Sequence, residues 1–204
     1  MPFTLDPEAE PRSEALIKKS RFIARLRHVG SEDAATEFIT VVREADRGAN
    51  HHCFAYIISD DETRIERHSD DGEPTGTAGS PILNALESHD LVNVVAVVSR
   101  YFGGVRLGTG GLARAYSGTV VSAVEGADLR PWLRWQVYRL TAHHAEAGWL
   151  ESELRGRGFE VTGVSYAESA VITVICVDAT RLRSALAEMT SGRAELVYAG
   201  EVWR

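Results

Sequence analysis

The sequence predicts an α+β protein built as two domains, and three observations lead there. Residues 14–125 alternate between strand-like and helix-like hydrophobic periods. The stretch Gly126–Pro131 (GADLRP) then combines a helix stop, a proline and the end of that pattern. The segments that follow fall in the order β-α-β-β-α-β, the split βαβ arrangement. A chain of 204 residues suits one large or two small domains at roughly 150 residues per domain.

Residues 1–13 carry Pro2, Pro7 and Pro11 among acids and are read as a flexible, loosely docked N-terminus. Glu14–Val29 alternates in part and predicts one long or two short strands. Ser31 is placed as a helix N-cap with Glu32 and Asp33 in the first turn, and Ala35, Phe38, Ile39 and Val42 form the core face of a helix over 32–46 stopped by Gly48. Cys53–Ile58 and Thr63–His68 predict a hairpin about a polar turn, Ser59-Asp60-Asp61-Glu62. Ser69–Pro74 has loop chemistry, Thr77–Glu87 reads as a short helix, and the β-branched run Val92–Ser99 reads as a strand buried on both faces. Tyr101–Gly108 is a glycine loop, and Thr109 is placed as the cap of a helix running to about Glu125. The first domain is therefore set at 14–128. The second, 131–204, comprises strands at 133–141, 159–166, 170–177 and 195–202 and helices at 145–155 and 180–189, which is a ferredoxin-like order.

Composition narrows function less than it narrows fold. Hydrophobic residues are 44% and charged residues 25%, ordinary for a globular chain, and they exclude collagen-like, disordered and disulfide-scaffold classes. The formal charge of −7 excludes nucleic-acid binding by bulk charge, so any RNA contact needs a local basic patch. Cys53 and Cys176 lie in apolar runs and read as small buried hydrophobes, with no disulfide framework and no metal motif. The acidic N-terminus lacks the apolar core of a signal peptide, and no apolar run approaches the ~20 residues that span a bilayer. A soluble, cytoplasmic protein is expected.

The segment with chemical content runs from Ser99 to Tyr116. Five glycines, Gly103, Gly104, Gly108, Gly110 and Gly111, lie between a buried strand and a helix. Glycine admits positive φ and lets another molecule approach the backbone, and the helix start offers unpaired N–H groups with a partial positive charge. A phosphate fits such a place. Arg100, Arg106 and Arg114 flank it and supply candidate bidentate contacts. Arg114 lies about 200° round the helix from Leu112, away from the face of Leu112, Tyr116, Thr119, Val120 and Ala123 that is assigned to the core. The competing reading is a tight strand-to-helix turn with no ligand. Gly108–Ala113 matches G-x-G-x-x-A, yet it stands eight residues beyond Ser99 and no run of βα units surrounds it, so a dinucleotide fold is rejected. No Gly-Lys-[Ser/Thr] is present, and no lysine is placed near the loop.

A second cluster, Asp70, Asp71, Gly72 and Glu73, reads either as a solvated acidic turn or as a Mg²⁺ site assisted by a phosphate. His51, His52, Cys53 and His68 lack ligand spacing, and no catalytic constellation is visible. No catalytic residue, metal or cofactor is assigned.

Arg100-Tyr101-Phe102-Gly103-Gly104, Leu107-Gly108, Gly110-Gly111-Leu112 and Arg114-Ala115-Tyr116 resemble the signature of the Impact/YigZ family, as do His52-Cys53-Phe54-Ala55-Tyr56 and Asp70-Asp71-Gly72-Glu73-Pro74 with Thr77-Ala78-Gly79. The resemblance covers most of 14–126, and 131–204 looks like the small C-terminal domain of the bacterial members. It implies a ribosomal-protein-S5-domain-2-like first domain and a ferredoxin-like second one, a pair that also occurs in the translocation elongation factor. Eukaryotic members regulate translation by competing for an activator of a stress kinase. They carry a different second domain, so that partner is not transferred. The function expected is a non-enzymatic nucleic-acid- or ribosome-binding protein that tunes translation, with RNA, the ribosome or a protein of the translation apparatus as partner and no membrane. The alternative is a small-molecule phosphate or nucleotide binder or a phosphotransferase using 103–111, with Asp71 and Glu73 on a metal and Thr109 near a phosphate. A protein–protein adaptor using the second domain's sheet or Tyr101 and Phe102 is the third reading.

Overall fold

A five-stranded antiparallel sheet organises the first unit, Met1–Trp132, of a computed structural model that describes residues 1–59 and 63–204. Its central strand is β6 (Val94–Tyr101), flanked by β3 (Ser20–His28) and β4 (His51–Ser59), with β2 (Arg12–Ile17) and β5 (Arg64–Ser69) at the edges. Successive side chains of β6 point to opposite faces. Val94, Ala96 and Val98 pack with α2 (Gly79–Glu87) and α3 (Thr109–Glu125), while Val95 and Val97 pack with Phe38, Ile39 and Val42 of α1 (Glu32–Ala45). The β-branched run is thus buried on both faces although its neighbours are antiparallel, because each face has its own helices.

Local chemistry sets the boundaries. The Ser31 hydroxyl accepts the Ala34 N–H at 3.2 Å, capping α1. The region 14–29 resolves into the two strands β2 and β3, joined by Lys18 and Lys19 at φ 46° and 68°. Two consecutive positive φ values match the twist of the flanking strands. The β4–β5 hairpin forms, while residues 60–62 of its expected turn lie outside the described residues.

Three expectations are corrected. Residues 1–13 are not uniformly loose: β1 (Phe3–Leu5) pairs with β7 (Leu129–Pro131), and Leu5 is fully buried. Burying Leu5 stabilises the terminus by roughly 2 kcal/mol, enough to overcome fraying at the prolines. The same pairing makes 129–131 a strand of the first unit rather than part of a linker. Thr109 does not cap α3; the N-cap is Gly108 at φ 76°, and Thr109 is the first helical residue.

The second unit, Leu133–Arg204, contains β8 (Arg134–Ala142), α4 (His144–Gly156), β9 (Glu160–Tyr166), β10 (Ala170–Cys176), α5 (Ala179–Thr190) and β11 (Leu196–Trp203). Its antiparallel sheet has the order β11-β8-β10-β9. Leu140, Ile172 and Val174 of the sheet pack against Leu150 and Leu154 of α4 and Leu182 of α5. Cys53 and Cys176 are buried free thiols. Among the described residues no helix is long and apolar enough to cross a membrane.

Candidate phosphate-binding cleft

Strand register brings the site together. Arg100 pairs across β6 with Phe22 of β3 on one side and His51 of β4 on the other. Directly opposed residues share a face, so Phe22, Arg100 and His51 form a row on the side of α2 and α3. Tyr101, the next residue, points to the other face, where the Arg21 guanidinium lies 5.7 Å from its ring centre. The glycine loop follows, and α3 begins at Thr109.

A cleft of about 410 Å³ opens here. Pro74, Phe102, Leu107 and Leu112 give it apolar walls, and His51, Glu73, Arg100, Arg106 and Thr109 give it polar ones. The α3 N-terminus has neither a side-chain cap nor an acid in its first turn, so its first amides present unmatched donors. Arg106 is exposed at this opening, and among the described residues neither Arg106 nor Arg114 has an ion pair. Arg114 is exposed on α3 and is not part of the cleft wall; its Nη1 lies 3.4 Å from where a Gly110 Cβ would stand.

Arg100 belongs to the interior. It is 5% exposed, its Nη1 donates to Glu73 Oε1 at 2.5 Å and its Nη2 to Ser20 Oγ at 3.3 Å. The Tyr116 hydroxyl donates to the same Glu73 oxygen at 2.7 Å. The guanidinium carbon sits 5.4 Å from the ring centres of both Phe22 and Phe102. A cation placed beside the loop in sequence is therefore matched by a buried carboxylate, which removes Arg100 from the set free to meet a ligand. Burial, first, and the bond to Glu73 push the Tyr116 hydroxyl far above its ordinary range. Burial likewise lifts the Cys53 thiol to about 12, and that thiol donates to the Asp70 carbonyl at 2.9 Å. Neither group is a nucleophile at neutral pH.

The acidic loop is also committed to the fold. Asp70 accepts from the N–H groups of Gly76, Ala78 and Gly79 at 2.8–2.9 Å and so closes the start of α2. Burial opposes its ionisation, but these backbone bonds together hold it below the ordinary carboxylate value. Asp71, at φ 43°, accepts from Arg43 and from the His52 N–H, and Gly72 continues the turn at φ 86°. Glu73 faces Arg100. Asp71 and Glu73 have separate partners, and no metal-holding cluster occurs among the described residues.

Sequence reasoning missed two contributors. A Cβ on Gly103 would stand 1.9 Å from the Lys19 carbonyl oxygen, so the β2–β3 hairpin tip rests directly on the loop and brings the chain's lysine pair beside it. Ser20 joins the two, accepting from the Gly103 N–H at 3.2 Å and from Arg100. Phe102 is 48% exposed, with its N–H anchored on Asn50 Oδ1 at 2.8 Å.

Comparisons with known proteins bear on the same residues. The Impact N-terminal domain matches 18–124, and a domain of unknown function (DUF1949) matches 140–193. The chain is 36% identical over 185 residues to the IMPACT family member YvyE of Bacillus subtilis, covering 90% of this chain and 85% of that one. It is 47% identical over 109 residues to the IMPACT family member YigZ of Escherichia coli, covering 53% of each. A crystal structure of a hypothetical protein superposes with a TM-score of 0.69 at 32% identity, covering 98% of both chains. Every residue of the cleft, from the Lys19 contact to Leu112, falls within the matched first segment, and with the near full-length match to YvyE this places the chain in the IMPACT family.

Proposed function

We propose that the chain is a non-enzymatic regulator of translation that binds RNA, free or within the ribosome, through the cleft beside the glycine loop. The observation that carries this is the uncapped start of α3 next to Arg106 and Arg114, which have no ion pair among the described residues. Donors of that kind hold phosphate without reading sequence. The exposed Lys18–Lys19 tip adds positive charge to a chain of net charge −7, which makes the basic surface local. In this reading the first unit is a ribosomal-protein-S5-domain-2-like fold. The second is ferredoxin-like, supported by its β-α-β-β-α-β order and by a sheet ordered fourth, first, third, second. The working place is the cytoplasm, where translation occurs.

The test is binding to single-stranded RNA and co-sedimentation with ribosomes at two salt concentrations. Affinity should fall with salt at a slope of about −0.7 per neutralised phosphate. Replacing Arg106 and Arg114 together by Ala should flatten that slope by one to two phosphates' worth, about 0.7–1.4 units. A slope unchanged by the pair, or no binding at low salt, overturns the reading.

A free phosphorylated small molecule is the second reading, favoured by the cleft's volume of about 410 Å³ and its apolar walls. A nucleotide at a hundred times its Kd would add about 2.7 kcal/mol of stability, visible as a thermal shift.

A further inference from the structure

His51 is the polar wall of the cleft that a bare phosphate does not need. Its Nδ1 lies 2.8 Å from the Asp71 carbonyl oxygen. A carbonyl only accepts, so Nδ1 carries the ring proton and donates it. Nε2 of the neutral ring is then an acceptor, and it has no partner among the described residues. The Asp71–Gly72 turn fixes the ring: a Cβ on Gly72 would stand 3.6 Å from His51 Nδ1.

The cleft therefore joins three kinds of contact. Donors come from the α3 amides, Arg106 and Thr109. A neutral ring acceptor comes from His51 Nε2, while the Glu73 carboxylate on the same wall already accepts from Arg100 and Tyr116. A stacking surface comes from half-exposed Phe102, which is backed by the Arg100 guanidinium. Arg100 adds a second, independent observation, an unmatched donor. It lines the cleft, it is 5% exposed, and its buried Nε is the sole such side-chain atom among the described residues without a hydrogen-bond partner. Inorganic phosphate would satisfy the donors and leave the acceptor and the ring unused. A ligand matching all three carries a phosphate, a hydroxyl donor and a flat ring.

We propose that the cleft holds one ribonucleotide unit, with its phosphate on the α3 N-terminus and Arg106, its base on Phe102 and its 2′-hydroxyl donating to His51 Nε2. His51 is then the residue that tells ribose from deoxyribose. This deepens the RNA-binding reading and rests on it, although a free nucleoside 5′-monophosphate offers the same groups.

The experiment measures fluorescence anisotropy of one 12-nucleotide single strand in three forms, all-ribo, all-deoxy and 2′-O-methyl. It uses the wild type, His51→Asn and His51→Gln. An Asn amide overlays Nδ1 and preserves the bond to Asp71 without the Nε2 acceptor; a Gln amide reaches the Nε2 position and restores it. Wild type should bind the ribo strand roughly 3–10-fold more tightly than either other strand, about the worth of one neutral hydrogen bond. His51→Asn should erase that ratio, and His51→Gln should recover part of it. Equal affinity of wild type for the three strands, or an undiminished ratio in His51→Asn, overturns the inference while leaving RNA binding in place. A thermal-shift arm with adenosine and uridine 5′-monophosphates and their 2′-deoxy forms separates the two sources. A ribose-selective shift without strand binding upholds the cleft's ligand and overturns RNA as its source, and silence in both arms overturns both.

Discussion

Glu73 joins Arg100 and Tyr116 in the interior of the first unit, and its removal has a calculable consequence. Glu73 and Arg100 have side chains 4% and 6% exposed, with an N–O distance of 2.5 Å. At an effective dielectric constant of about 20, that separation corresponds to an attraction of roughly 6–7 kcal/mol, offset by several kcal/mol for desolvating each ion. The intact pair therefore contributes little net stability. Removing one partner is different, because the other charge stays buried. Glu73→Ala also orphans the Tyr116 hydroxyl, and the total loss should be about 3–5 kcal/mol. Glu73→Gln keeps an oxygen facing both donors and should lose roughly 1–3 kcal/mol. The double change Arg100→Met with Glu73→Leu should lose much less than the sum of the two single changes. Urea unfolding by far-UV circular dichroism measures the loss, and hydrogen exchange of the Val94–Val98 amides assigns it to the first unit. If Glu73→Ala loses less than 1 kcal/mol and RNA affinity rises, Arg100 is a ligand cation after all and the buried-pair argument fails.

Two further outcomes follow from the same geometry. Gly103→Ala forces a methyl to within 1.9 Å of the Lys19 carbonyl oxygen, and backbone has to move; the loss should reach about 3 kcal/mol, the upper range for overpacking. Gly118→Ala, inside α3 with nothing within 4 Å, should gain roughly 0.5–1 kcal/mol; equal effects for the two glycines in denaturant unfolding would contradict the close approach. Acid pH should weaken the first unit through Asp70, whose ionised form the fold favours. Its contribution is complete above the unfolded carboxylate value near 3.9 and is lost as pH falls through the lower folded value. Asp70→Asn should therefore be less stable than wild type at pH 7 by about 1–2 kcal/mol, and the gap should close as pH falls below the ordinary carboxylate range. A gap independent of pH in parallel urea titrations would remove Asp70's charge from the account.

Elements were legible where burial has a period, and side-chain partners were not where they depend on register. The face of α1 and both faces of β6 can be read from neighbouring residues, because Phe38, Ile39 and Val42, or Val94 to Val98, report their own surroundings. Strand alternation also carried an unused signal about Arg100: it lies an even number of residues from Val94, Ala96 and Val98, so it points inward with them, while Tyr101 points away. What alternation cannot supply is the partner. Glu73 lies 27 residues upstream, and the loop carrying it is placed by Asp70 closing onto α2. The hairpin tip was hidden for a related reason. Lysines at positive φ carry no turn signature, and their contact with Gly103 spans more than eighty residues of chain. The glycine was the visible half of that contact, since a position that admits no Cβ implies something pressing on it, but it did not say what. The cleft's polarity follows from this division. Arg100 and Glu73 neutralise each other below its surface, so the cations open to a ligand stand on separate elements, Arg106 in the loop and the exposed lysines of the hairpin whose tip rests against Gly103. A change that lifts the tip off Gly103 should therefore weaken the proposed anion binding even though it touches no residue of the cleft wall.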